Sequence, residues 1–140
     1  MKTIAVIGAT LTGNKGAASM LISLAQNRNQ FCPEGCLIDC LTIYYQEDKK
    51  FNFYDDLNII KCTPFDIICI AMPLSALYYL FSWITPIKNI LLKNKVLRIV
   101  SKADLVVNIA GISYSDGRGL ILLYNIACDI VPILLRKKKF

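Results

Sequence analysis

Thr3-Ile4-Ala5-Val6-Ile7-Gly8 runs into Ala9-Thr10-Leu11-Thr12-Gly13-Asn14-Lys15-Gly16 and then into Ala17 to Gln26 (AASMLISLAQ), and this stretch decides the architecture. The first six residues are a short, continuous apolar run closed by glycine, the pattern of a strand buried on both faces. The next eight are small and polar. Beyond them Met20, Leu21, Leu24 and Ala25 recur at helical spacing. Strand, glycine loop and helix in that order form the first half of a βαβ unit.

Working outward, Leu37–Ile43 (LIDCLTI) reads as a second strand, reached through a turn at Pro33 and Gly35. Tyr44 to Asp56 is polar and charged and reads as a surface loop. Leu57–Cys62 is a weaker strand closed by Pro64, and Asp104–Ala110 (DLVVNIA) is another apolar one. Leu120–Leu135 finishes as an apolar helix whose following cations, Arg136 to Lys139, suit the helix dipole. Apolar strands alternating with helices predict an α/β fold: a Rossmann-like parallel sheet with flanking helices, with Thr3–Gly8 central. Residues 1–140 make one such domain. The sequence stops after a helix, where such a sheet would place another strand, so it reads as cut short.

Between Ile67 and Ile87 there is no charged residue, a length that would span a bilayer. Lys88, Lys93, Lys95, Arg98 and Lys102 then follow with no acid among them. A single span would leave Thr3–Gly8 and Asp104–Ala110 on opposite sides of the membrane, although both read as strands of one sheet. Pro73 and Pro86 would also kink a spanning helix. A helix pair fits better, either packed within the protein or lying at a membrane surface.

Composition narrows the chemistry. Apolar residues make up 55% of the 140 residues and charged ones 19%, enough apolar content to argue against disorder. The formal charge of +6 owes four units to Arg136–Lys139, leaving 6 − 4 = +2 for the rest, too little for a nucleic-acid face. Histidine is absent, so an imidazole acid or base must come from another domain or chain. Six cysteines show no CxxC pair and have no histidine to complete a zinc site; they read as buried, reduced thiols. No cleavable leader pattern opens the sequence, which points to a cytoplasmic setting, peripheral to the inner face of the membrane if the apolar segment lies there.

Two loops follow predicted strands at the sheet edge where α/β folds bind ligands. In the first, Gly13 and Gly16 would let the backbone turn tightly, the N–H groups opening the next helix would favour an anion, Asn14 can donate and accept, and Lys15 adds a charge. In the second, Gly111 starts a turn carrying Ser113, Asp116 and Arg118: Asp116 can take a proton from a sugar hydroxyl, and Arg118 can grip a carboxylate or phosphate. The bland alternatives are a plain strand-to-helix turn and a loop whose Asp caps a helix. Read another way, Thr12-Gly13-Asn14-Lys15-Gly16-Ala17 resembles the dinucleotide loop of short-chain dehydrogenases, with Asp39 as ribose ligand. The third glycine is missing, and no Tyr-x-x-x-Lys pair follows.

Together, GATLTGNKGAASMLISL and ADLVVNIAGISYSDGRG resemble the two landmarks of the polysaccharide pyruvyl transferases: a strand running into a GN-x-G turn and an Ala/Leu-rich helix, then an Ala-Asp, an apolar strand, Gly and a Ser-x-Ser-Asp loop. The likeness extends over the whole sequence, with one departure, a single Gly111 where a glycine pair is commoner. The resemblance implies the amino-terminal half of a GT-B type two-domain fold. It implies transfer of the enolpyruvyl unit of phosphoenolpyruvate to sugar hydroxyls of a cell-surface polysaccharide or its precursor. No cofactor is implied. Donor-binding Arg and His residues belong mainly to the family's second domain, so residues 1–140 alone are expected to be inactive. The cleft-facing residues carried over are Gly13, Asn14, Gly16, Ser113 and Asp116. Two other readings stay open: a nicotinamide-dependent oxidoreductase, and a non-catalytic module that binds a partner or a membrane.

Overall fold

β1 (Lys2–Ile7) pairs in parallel with a strand on each side, as its continuous apolar run requires. A computed structural model describes residues 2–109 and 119–135. β2 (Cys36–Thr42) flanks β1 with Lys2 opposite Cys36, and β3 (Leu57–Lys61) lies beyond it with Ile38 opposite Leu57. β4 (Leu105–Asn108) flanks the other side, with Ile4 opposite Leu105 and Ile7 opposite Asn108. The order is β3-β2-β1-β4, all parallel, an α/β sheet of Rossmann-like type with β1 inside it. Asp104 fixes the entry to β4: Thr3 N donates to its carboxylate at 2.9 Å, and Asp104 N donates to the Thr3 carbonyl at 2.8 Å.

The chain divides into two compact units. The first contains the sheet with α1 (Lys15–Gln26), the single turn α2 (Arg28–Phe31) and α3 (Tyr45–Lys50). Ala17, Leu21 and Ala25 of α1 repeat every four residues and cluster with Ile4, Val6, Ile38 and Cys40 from alternate positions of β1 and β2. Small residues at 17 and 25 let the helix approach the strands, and fully burying Leu21 contributes roughly 2 kcal/mol. The intervening Ala5, Ile7 and Leu41 are equally buried, so neither face of β1 is wet.

The second unit is helical. Thr63 and Asp66 form a reciprocal capping box: Asp66 N donates to Thr63 Oγ1 (3.2 Å), and Thr63 N donates to Asp66 Oδ2 (2.7 Å). Pro64 sits in the first helical position, where its missing N–H costs nothing. A π-helical turn, Asp66–Ala71, then runs into α4 (Met72–Phe81). In this turn Met72 N reaches back to the Ile67 carbonyl, five residues away, and the widened pitch directly precedes Pro73, which has no N–H for the Cys69 carbonyl. The expected kink is thus taken up by a π turn. Pro86 begins α5 (Thr85–Leu91) after a break at Ser82–Ile84, and α6 (Lys95–Lys102) follows, its Leu97 N capped by Asn94 Oδ1 at 3.1 Å. α7 (Leu120–Leu135), with Pro132 inside it, packs on α4, the π turn and α6. Among the described residues, no helix is long and apolar enough to cross a membrane.

Two expectations need correction. Tyr44 to Asp56 is not simply a surface loop, since α3 forms there and buries Asp48 completely. Its polar sequence, YQEDKK, has no apolar periodicity to betray a helix. Cys69 is exposed while the other five cysteines are buried, because it falls on the outer side of the helical run.

Candidate functional site

All four strands point the same way, so the carboxyl ends of β1 and β4 lie side by side at one edge of the sheet. Ile7 and Asn108 are level, and Ile109 N donates to the Ile7 carbonyl at 3.0 Å. Gly111, Ser113, Asp116 and Arg118 follow Ile109 and lie outside the described residues. The described part of the site is the loop from Gly8 to Gly16 with the residues beneath it.

That loop is held by a carboxylate. Asp48 Oδ1 accepts from Thr10 Oγ1 (3.0 Å), Leu11 N (3.0 Å), Thr12 N (3.0 Å) and Thr12 Oγ1 (2.7 Å), while Oδ2 accepts from Thr42 Oγ1 (2.7 Å). Thr10 Oγ1 in turn accepts from Gly13 N at 2.9 Å, and Thr42 Oγ1 from Tyr44 N at 3.0 Å. Asp48, Thr10 and Thr42 are buried, so a polar network ties α3, the β1 loop and the end of β2 into one piece. Cys40 lies beside it: burial foremost, and the Asp48 charge next, push its thiol up to about 12.

The glycines act differently from the tight turn expected of them. The left-handed residue is Gly8, at φ 73°, which turns the chain out of β1. Gly13 is small for another reason. A Cβ there would stand 2.7 Å from Tyr44 Cδ2 and 2.8 Å from Cζ, so the half-exposed ring of Tyr44 rests over it. Gly16 adjoins the Asn14 side chain, which caps α1 by accepting from Gly16 N (2.9 Å) and Ala17 N (3.3 Å). The helix N–H groups expected to await an anion are therefore occupied by Asn14 itself. Replacing Asn14 by Ala is expected to cost about 1 kcal/mol, read as a lowered urea midpoint; an unchanged midpoint would show the cap to be idle. Lys15, the first residue of α1, is exposed.

No family model, curated protein or solved structure matches this chain.

The chemistry therefore rests on the geometry. The outer rim, Thr12 to Gly16 with Tyr44, offers hydroxyls, an amide, an aromatic ring and one ammonium. The backbone N–H groups of residues 11, 12, 13, 16 and 17 are already bonded within the protein, those of 11 and 12 to the Asp48 carboxylate. A phosphate would compete with Asp48 for the amides of Leu11 and Thr12, with Thr10 for that of Gly13 and with Asn14 for those of Gly16 and Ala17, and the Asp48 carboxylate would repel it. Asp39 sits in mid-strand, three residues before the end of β2, where its carboxylate accepts from Asn58 Nδ2 at 3.0 Å. It is thus displaced from the strand tip where a ribose would be held. Among the described residues there is no group of three or more acidic, Cys or His side chains that could hold a metal. Two clefts in the sheet unit, of about 450 and 470 Å³, are lined around Phe53 and around Met20 and include none of residues 12–16. Sequence reasoning missed Asp48, Thr10, Thr42 and Tyr44, whose side chains meet only once β1 and β2 are paired.

Proposed function

We propose that this chain is the acceptor-side α/β domain of an enzyme of the polysaccharide pyruvyl transferase kind, moving the enolpyruvyl unit of phosphoenolpyruvate onto sugar hydroxyls of a cell-surface polysaccharide or its precursor. The observation that carries this reading is the Asp48-closed loop. With its amides engaged and a carboxylate beneath, the rim suits neutral hydroxyl groups better than phosphates, as an acceptor subsite should. In this reading Thr12, Asn14 and Tyr44 hold the sugar, Lys15 sits at its edge, and Asp116 takes the proton from the attacking hydroxyl, with Ser113 and Arg118 beside it on the loop after β4. Histidine is absent from the 140 residues, so the anionic donor would be bound and protonated by groups from another domain or chain. Phosphoenolpyruvate being an intracellular metabolite, the reaction would run on the cytoplasmic side.

A titration of the 15N-labelled chain with lactose, cellobiose and chitobiose tests the site. Amide shifts concentrated at Thr12–Gly16 with at least one disaccharide, and none there with NAD or NADP, are expected. Shifts with a nicotinamide nucleotide alone would favour the oxidoreductase reading, and no shifts with any sugar would end the acceptor assignment. The purified chain should also show no turnover of phosphoenolpyruvate with any sugar; measurable phosphate release dependent on acceptor would disprove the assignment of the donor site elsewhere.

A further inference from the structure

The helical unit carries a stripe of apolar side chains on its outside. Phe65, Cys69, Pro73, Leu77 and Leu80 follow one another at spacings of four, four, four and three, one face of the run through the π turn and α4; Trp83 comes three residues later in the turn that ends it, and each is exposed. Phe65 is 64% exposed, Leu80 58% and Trp83 76%. Ile67, Ala71 and Ser75, on the other side, are buried. The usual arrangement of a surface helix is therefore inverted, with apolar groups toward solvent as well as toward the interior. The Trp83 indole N–H is satisfied locally by the Leu80 carbonyl at 3.1 Å, leaving the ring as an apolar plate. An unbroken exposed apolar stripe of this length marks a surface that meets something other than water.

The charges of the same unit say what. From Ile67 to Ala103 there is no Asp or Glu, while Lys88, Lys93, Lys95, Arg98 and Lys102 all fall in that interval. On α6, Lys95, Arg98 and Lys102 share one exposed face, opposite the buried Val96, Leu97 and Val100. A protein partner would be met by a rim of mixed sign and by hydrogen-bonding groups about the apolar centre. Here the 37 residues from Ile67 to Ala103 carry charge of one sign only, and the stripe offers almost no hydrogen-bonding group. Among the described residues no helix, the run through the π turn and α4 included, is long and apolar enough to cross a bilayer.

We infer that this unit docks on the surface of an anionic lipid bilayer, with the Phe65–Trp83 stripe seated at the headgroup–acyl boundary and the cations of α5 and α6 paired with lipid phosphates. The inference goes beyond the transfer reading and does not depend on it, since binding alone is measured. A transferase held there would meet acceptors built on lipid carriers.

Co-sedimentation of the full chain with vesicles of phosphatidylcholine alone, or mixed with phosphatidylglycerol, tests it. Binding to the anionic vesicles at low salt, release by 0.5 M NaCl (roughly threefold shorter screening length than at 0.05 M) and weak binding to neutral vesicles are expected. The triple variant Lys95→Gln/Arg98→Gln/Lys102→Gln should lower the partition coefficient on the order of 100-fold, and Leu80→Ser/Trp83→Ser about tenfold or more. All five positions are exposed, so the variants should keep the wild-type far-ultraviolet dichroism. No binding to anionic vesicles, binding that ignores salt and lipid charge, or binding unchanged in both variants would overturn the inference. A dimer that Leu80→Ser/Trp83→Ser converts to monomer, with no vesicle binding, would overturn it in favour of a contact between copies.

Discussion

Asp48→Ala is expected to lower the unfolding free energy by about 3–5 kcal/mol, the range for breaking a buried, fully partnered polar network. The side chain is 0% exposed and accepts from five donors, three of them hydroxyls and two backbone amides. Truncation leaves Thr10 and Thr42 buried without their acceptor and opens a hole that only water can satisfy. Asp48→Asn should cost less, about 1–2 kcal/mol, because the amide oxygen can keep the Thr12 and Leu11 bonds while the NH₂ group donates to Thr42. Urea unfolding measures both, and amide exchange should quicken at Leu11 and Thr12 in the Ala variant first. A loss under about 1 kcal/mol for Asp48→Ala would mean that the network holds the loop no better than water does. For a domain of ordinary stability, 5–15 kcal/mol, the larger loss is a substantial fraction of the whole.

Stability should also fall steeply in alkali. Burial foremost pushes the thiols of Cys40 and Cys128 from 9.0 up to about 12; the charges of Asp48 and Asp129 respectively add to it, and a Tyr124 hydrogen bond partly offsets it at Cys128. The folded protein thus keeps both protons to a pH at which the unfolded chain has released them. Between pH 9 and 12 the unfolded state binds fewer protons, so the unfolding free energy decreases with rising pH. Each thiol contributes a slope of roughly 1.4 kcal/mol per pH unit in that window and nothing below it. Urea midpoints at pH 8, 9, 10 and 10.5 should therefore be level and then drop, and Cys40→Ala or Cys128→Ala should each flatten the drop by about half of the thiol contribution. A midpoint independent of pH through 10.5 would show that these thiols are not shielded from water.

The sheet was legible because each of its strands is written locally. TIAVI, LIDCL and DLVVN are apolar runs bounded by turn residues, and their parallel pairing follows from the helices between them. The apolar segment was legible as something other than one spanning helix, but the expected helix pair is three helical pieces, broken at 82–84 and again at 92–94. The π turn was not, since nothing in Asp66–Ala71 distinguishes a wider pitch from an ordinary one. The site was legible only at its rim. Asn14 was visible as a residue able to donate and accept, but its capping of α1 depends on backbone angles. Gly13 was visible as small, although the ring that makes smallness necessary comes from Tyr44, 31 residues away. Asp48 was hidden altogether: an acidic residue among Gln, Glu and Lys reads as solvated, and only pairing of β1 with β2 encloses it.

β1 takes its partners from very different times in the life of the chain. On β2 the register begins at Cys36, but on the other side Ile4 waits for Leu105, and Thr3 for Asp104. At a synthesis rate of about 5–20 residues per second, the hundred residues between them take roughly 5–20 s to emerge. During that interval the first strand made lacks its β4 partner, and residues 63–102, with their apolar stripe, are made before that partner is. The nascent chain is thus expected to be most adhesive before β4 is made, and slower translation should lengthen the time for which that edge stays open to another strand.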